Sequence, residues 1–291
     1  MRRPPRLLVA HQQQWVVDDM VAGTAGRWPV HQLATTAVPD PSAQAGAAWW
    51  ATTGHAARRR RVGAAPELTC VPAGWLAGLD QDVTGRTISV YSLSQLPAAG
   101  LPAGFVKPAT AKIDQLPAGW RDNPAAAATA ALAGGTHPDT VIEYTPDWLQ
   151  LAHEWRVFTL DGFVCRPSAY RVGLDTWAPA FDARTDLPVD DAWQAAAECA
   201  DHLYRTGTGP PAAVLDLGCT RDGRWFLLEA NAPWSANPYG CPLTEVVDVV
   251  VAASTGHGAG RWRWSPDPHE TAVAAELAPL PASHPLPPPA R

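Results

Sequence analysis

Lysine is almost missing from this 291-residue chain, which has two, Lys107 and Lys112, against twenty arginines. Surface cations here are nearly always written as Arg. A position that keeps lysine therefore points to a need for a compact ammonium on a flexible stem, as against a phosphate that a guanidinium fork does not fit. Both lysines fall in one segment, FVKPATAKID. Cysteine is sparse and unpatterned: the five, at 70, 165, 199, 219 and 241, are odd in number and contain no C-x-x-C, so reduced thiols in a cytoplasmic protein are the simplest reading. No apolar run approaches the roughly 20 residues that span a bilayer. Met1 to Arg6 is basic, but the apolar stretch behind it, Leu7 to Ala10, is too short for a signal-peptide core. There is no Walker A loop, no G-x-S-x-G, no H-E-x-x-H and no zinc-type Cys/His cluster. Gly207 to Ala212 fits a loose G-x-G-x-x-A, but a helical pattern precedes it and prolines follow, the reverse of what a dinucleotide fingerprint requires. With a net charge of -6 the chain lacks the basic surface of a general nucleic-acid or acidic-membrane binder. The run Arg58 to Arg61 reads as a solvated loop or helix face.

What is present is organised around Ala213 to Trp234, AVLDLGCTRDGRWFLLEANAPW. Two alternating apolar runs flank Asp222-Gly223, the dipeptide of a two-residue hairpin turn. That turn sets Arg221 against Arg224 and, counting back, Asp216 against Glu229. Asn231 shares the Glu229 face, while Leu215, Leu217, Phe226, Leu228 and Ala230 point to a core. Opposed carboxylates about 5 Å apart repel unless something positive lies between them. Two carboxylates and an amide carbonyl are hard oxygen ligands suited to Mg²⁺, which takes its other ligands from water and phosphate. A half-exposed hairpin with an acidic solvent face accounts for the same residues, and the hairpin alone does not choose between the two.

The length and the 46% hydrophobic content fit two domains with a sizeable core. Short strands at Arg6 to Ala10, Trp28 to Leu33 and Ala47 to Thr53 alternate with helix-compatible segments, which gives a small α/β domain over 1–70. Residues 71–103 read as a connector containing one alternating run, Thr87 to Leu93. From 104 to 256 the pattern is α+β. Phe105 to Pro108 is a strand with Lys107 at its end. Asn123 and Pro124 start a helix that Gly134-Gly135 stops, and Thr140 to Tyr144 is a further strand. Glu154 to Leu160 turns at Asp161-Gly162 into Phe163 to Tyr170. Asp190 and Asp191 cap a helix over Ala192 to Tyr204, on which Trp193, Ala197, Ala200 and Tyr204 form one face. Pro242 opens the last helix. The proline-rich remainder, 257–291, reads as largely disordered, with at most a short helix around Glu270 to Leu277. His153 reads as a turn residue, and Trp234 and Tyr239 as walls for a pocket beside the acidic hairpin.

The order F-V-K-P, a second lysine, E-x-R-x-F-x-L-D-G, V-L-D-x-G and E-A-N-x-x-W-x-x-x-x-Y-G, found here from Phe105 to Gly240, resembles the ATP-grasp superfamily, most closely its R2K clade. The resemblance implies an α+β, α/β architecture: two α+β lobes sandwiching a nucleotide, preceded by a small pre-ATP-grasp-like domain. By that resemblance Lys107 and Lys112 contact phosphates of ATP and Glu143 and Tyr144 lie at the hinge near adenine. Glu154 lies near the ribose, Arg156 near the γ-phosphate or an acyl phosphate, and Asp216, Glu229 and Asn231 hold Mg²⁺. Such enzymes activate a carboxylate as an acyl phosphate that an amine or thiol then attacks. The implied partners are thus a small-molecule or peptide carboxylate and an amine or thiol acceptor, with no nucleic acid and no membrane. Arg171 is the candidate for holding the substrate carboxylate through a bidentate pair; a surface arginine is the alternative. Two departures stand out: Pro108 to Asp114 lacks the glycines of the usual phosphate-covering loop, and Asn237-Pro238 replaces a small flexible pair. A kinase-like phosphotransferase and a non-catalytic ATP sensor or scaffold are the competing functions. The full set of lysines, arginine and metal ligands speaks against the sensor.

Overall fold

The apolar run at the start of the chain is a buried strand, β1 (Leu7–Ala10), at the centre of a parallel sheet with β2 (Val30–Leu33) and β3 (Ala48–Ala51) as its neighbours. Parallel strands covered on both faces read as unbroken apolar runs, which is why four residues were enough to mark it. The computed structural model describes residues 6–11, 13–34, 44–61, 67–176, 184, 186–277 and 288–290. The signal-like Met1 to Pro5 and most of the final prolines lie outside the described residues. Among the described residues no helix is long and apolar enough to cross a membrane.

The arginine run closes the helix Thr53–Arg61, and it is not simply solvated. Arg59 is 1% exposed, with its guanidinium 3.6 Å from the centroid of Trp49. Arg60 donates to the Trp264 carbonyl at 2.7 Å, and Arg61 donates to that of Ala274. These bonds tie down the end of the chain, so the expected disorder of 257–291 does not hold for its first part. Trp264 N–H donates to Leu68 O at 2.8 Å, and the helix Pro268–Glu276 opens on a capping box made by Asp267 and Glu270.

The stretch read as a connector contains β4 (Ser89–Ser92), which is a member of a second sheet. This sheet is antiparallel, in the order β4-β7-β5-β6, with β5 (Gly104–Pro108), β6 (Gly119–Arg121) and β7 (Val141–Thr145). The helix Pro124–Ala133 belongs to the same lobe, and its Asn123 cap accepts from Ala126 N–H at 2.9 Å. Gly104 sits where a Cβ would come 2.4 Å from the Tyr144 ring and 2.6 Å from the Thr145 carbonyl. Gly104→Ala is therefore expected to cost about 1–3 kcal/mol, read as a lower urea midpoint.

The third sheet runs β11-β10-β8-β12-β13, built from β8 (Leu151–Leu160), β10 (Ser168–Val172), β11 (Asp175–Thr176), β12 (Ala212–Thr220) and β13 (Trp225–Asn231); β9 (Phe163–Val164) also pairs with β8. Asp161 and Gly162 both have positive φ, 51° and 83°, as a type I′ hairpin needs. The helix Val189–Arg205 starts one turn earlier than expected: Pro188 is its cap, and Asp190 and Asp191 lie in the first turn, where they complement the dipole without capping. Its buried face is Ala192, Ala196, Ala200 and Leu203, while Trp193 and Tyr204 are 41% and 50% exposed. Alanines let the helix lie close to the sheet, and a tryptophan in that stripe would hold it off.

The central hairpin departs from the expected geometry in an instructive way. Its loop has three residues, Arg221–Gly223, with Gly223 at φ 83°, Gly223 N–H donating to Thr220 O at 2.9 Å and Thr220 N–H donating to Arg224 O at 2.8 Å. Cys219 therefore faces Trp225 and Leu217 faces Leu227, one residue away from a two-residue turn. A bulge opposite the Asp216–Leu217 step, with Leu228 as the extra residue, absorbs the difference, and Asp216 faces Glu229 as expected. The core residue is consequently Leu227, fully buried; Phe226 and Leu228 are half-buried, contrary to the expectation that they enter the core.

Candidate functional site

A cleft of about 800 Å³ opens between the four-stranded and six-stranded sheets, with Arg86, Lys107, Trp148, Glu154, Arg171 and Glu229 in its wall. Behind Glu229 a polar row follows from register, and its Arg156, Asp216 and Asn231 do not themselves line the cleft. Arg156 on β8 pairs with Asp216 on β12, which pairs with Glu229 on β13, so the three lie in a row across adjacent strands. Arg156 donates from Nε to Asp216 Oδ1 at 2.8 Å and from Nη2 to Oδ2 at 2.6 Å, a bidentate pair in which Asp216 is 1% exposed. Nη1 donates to the Asn237 carbonyl at 3.1 Å. Asn231 bridges the two acids, its Nδ2 donating to Asp216 Oδ2 at 3.0 Å and to Glu229 Oε1 at 2.8 Å. From the other lobe Lys107 donates to Glu229 Oε2 at 3.0 Å and stands 3.6 Å from Glu143, its register partner on β7.

The electrostatics are those of a site crowded with compensating charge. Burial pushes Asp216 up to about 7, against the pull of Arg156 beside it. Burial also works on Glu229, but the Lys107 ammonium, helped by the hydrogen bond from Asn231, outweighs it and holds this carboxyl well below the usual range. Burial acts to lower Lys107, and Glu229 and Glu143 more than reverse it, so the ammonium is held charged. Two acids in contact, one pushed up and the other down, are a pair whose like charges are incompletely neutralised.

The other expected site residues divide. Glu154 faces the cleft, where Tyr170 Oη donates to it at 2.7 Å and Arg171 Nη1 at 2.8 Å; Arg171 thus has a carboxylate partner within the protein. Glu143 lies beside Lys107 as its register partner. Tyr144 is a correction. Strand alternation sends its ring into the lobe core, with Oη donating to Pro102 O at 3.2 Å, and Thr145 and residues 147–152 line the cleft in its place. Lys112 is also a correction. Ala111 and Ile113 on either side of it are buried in the lobe core, which turns Lys112 outward, and it does not line the cleft. Trp234 does not wall the cleft: it is fully buried, donates to Thr69 O at 2.9 Å and meets Trp264 edge-on. Tyr239 does reach the site, stacked on Tyr170 at 5.3 Å with the Arg156 guanidinium 4.9 Å from its ring. His153 lies within β8, where its Nδ1 accepts from Trp155 Nε1 at 2.7 Å, and is no turn residue.

Two contributors went unread in the sequence. Arg86 is one arginine among twenty, and only the folded chain shows it in the cleft wall. Tyr170 could have been found: it precedes Arg171 on a strand paired with the Glu154 strand.

Two antiparallel-sheet lobes closing on a cleft that carries a lysine from one side and a Glu from the other, the Glu backed by an Asp and an Asn, define an ATP-grasp fold. The sequence profile of the ATP-grasp domain, R2K clade family 2, matches residues 83–249, more than half of the chain, and the chain belongs to that family. D-cycloserine synthetase DcsG has a similar solved structure, with a TM-score of 0.54 at 14% identity over 84% of this chain and 98% of that one. D-alanyl-alanine synthetase A from Vibrio cholerae O1 biovar eltor str. N16961 gives a TM-score of 0.47 at 11% identity over 88% and 99%. No curated protein matches the chain.

Proposed function

We propose that the protein is an ATP- and Mg²⁺-dependent carboxylate–amine or carboxylate–thiol ligase that activates a small acid or peptide end as an acyl phosphate. One observation carries the reading: Lys107 from one lobe meets Glu229 from the other at the cleft, and Asn231 links Glu229 to the buried Asp216 behind it. The donor set fits Mg²⁺. It offers two carboxylates and an amide linked to each other by hydrogen bonds, and an amide can present its oxygen by a half-turn. Among the described residues no group of three His, Cys, Asp or Glu side chains is placed to hold a metal, so this mixed set is the candidate. Bound there, Mg²⁺ would neutralise charge on a transferring phosphoryl group.

The chain's own residues supply the rest. Lys107, held charged and within the cleft, takes a phosphate. Arg156 lies behind Asp216 as a fixed cation, framed by Tyr170 and Tyr239, which keep water from its face. Glu154 is oriented by Tyr170 and Arg171. In the proposed arrangement it takes the ribose while Arg171, half-exposed, turns to the substrate carboxylate. The N-terminal parallel-sheet unit would carry the pre-ATP-grasp role, and 104–256 the ligase chemistry.

Calorimetric titration of ATP with and without Mg²⁺ tests the binding, and ADP release over a panel of small acids and peptides tests the chemistry. ADP release that requires an amine or thiol is expected. Release with the acid alone makes it a phosphotransferase, and tight binding with no release across the panel makes it a sensor.

A further inference from the structure

The acidic pair is aligned by a single extra residue. If the pairing of Leu217 with Leu227 ran on regularly, Leu228 would face Asp216 and Glu229 would face Leu215, whose side chain is 1% exposed in the core. The bulge at Leu228 prevents this. A bulge also leaves backbone carbonyls out of the ladder that need donors elsewhere. Arg86 supplies them, donating from Nη1 to Leu227 O at 3.2 Å and from Nη2 to Leu228 O at 2.8 Å. The guanidinium is itself fixed, since Nη1 also donates to Thr84 O at 2.8 Å. The segment that carries it is pressed against the same strand: Gly85, at φ 68°, has its Cα so close to Phe226 that a Cβ would come 2.5 Å from the ring.

We propose that Arg86 is a positioning residue: reaching from the segment before β4, it clamps the β13 bulge and so aims Glu229 at Asp216, setting the cation affinity of the site. This rests on the reading of that site as a cation and nucleotide site. A fork with two donor nitrogens spans adjacent carbonyls in a way that one ammonium does not.

Mn²⁺ titration by electron paramagnetic resonance, without nucleotide, tests it on three proteins: wild type, Arg86→Met, and Arg86→Met combined with deletion of Leu228. Arg86→Met is expected to weaken Mn²⁺ binding about tenfold or more. Deleting Leu228 makes the hairpin regular and again puts Glu229 opposite Asp216, so the combined variant is expected to return to within about threefold of wild type. Unchanged binding in Arg86→Met overturns the proposal, as does a loss that the deletion leaves unrepaired, which would assign Arg86 a direct contact. If the wild type binds no Mn²⁺, the reading of the site fails instead. A crystal structure of Arg86→Met then decides the clamp by itself: pairing shifted or frayed beyond Leu217 is expected, and an unmoved Glu229 overturns it.

Discussion

Arg156→Met is expected to lower the stability of the protein by about 3–5 kcal/mol, because it leaves the Asp216 carboxylate buried without its partner. The pair is bidentate, at 2.8 and 2.6 Å, and both residues are almost wholly buried. Neither is reached by enough water to replace what the guanidinium provides. In a chain of this size the loss corresponds to a fall in melting temperature of about 5–8 °C, read by calorimetry. Asn231 still donates to Asp216 at 3.0 Å, but a neutral amide offsets only part of a buried charge. Replacing the acid as well, in Arg156→Met/Asp216→Leu, is expected to recover much of the stability, since a buried pair exchanged for apolar groups is often neutral. A single variant that melts within about 2 °C of wild type would show that Asp216 is held neutral without Arg156. Activity is not the readout, because both residues belong to the proposed machinery.

The strands and their faces were legible wherever local rules act alone. FVKP, TVIEY and the alternating run at Glu154 gave β5, β7 and β8, and the Asn123 cap and the Asp161-Gly162 turn are set by their own side chains and backbone. The pairing of Asp216 with Glu229 came out right although two errors of one residue lay beneath it. A three-residue loop replaced a two-residue one, and the bulge cancelled the shift. Asp-Gly marks a turn, but whether the left-handed glycine is the second or third loop residue depends on how the strands twist, which a dipeptide does not encode. What stayed hidden was set by tertiary contact. Lys112 is the same residue type five positions beyond Lys107, yet the burial of Ala111 and Ile113 turns it away. The arginines after Ala57 look like a solvated run until the end of the chain packs beside them. Either the Ala192 or the Trp193 stripe of Val189–Arg205 satisfies a helical period, and only the fit to the sheet selects the alanines.

Glu229→Gln is expected to separate function from folding in the opposite sense to Arg156→Met. Glu229 is half-buried, its side chain keeps 37% of its exposure, and glutamine preserves its volume, so the melting temperature is expected to move little. The site changes more. One of the two carboxylates is lost, and the Lys107 ammonium keeps Glu143, at 3.6 Å, as its carboxylate partner among the described residues. Because a divalent cation needs the charge of its hard ligands, Mn²⁺ affinity is expected to fall by about 100-fold. ADP release is expected to fall by about 10³-fold, the scale on which loss of a preorganised electrostatic group is felt in a dry cleft. ATP binding without metal is expected to persist or tighten slightly, since a negative charge beside the phosphates has gone while Lys107 remains. That combination, with metal-free ATP retained, the cation lost and the fold intact, is specific to a metal ligand. A purely structural Glu229 would lower the melting temperature and leave both titrations in proportion. An acidic solvent face would leave all three measurements where they were.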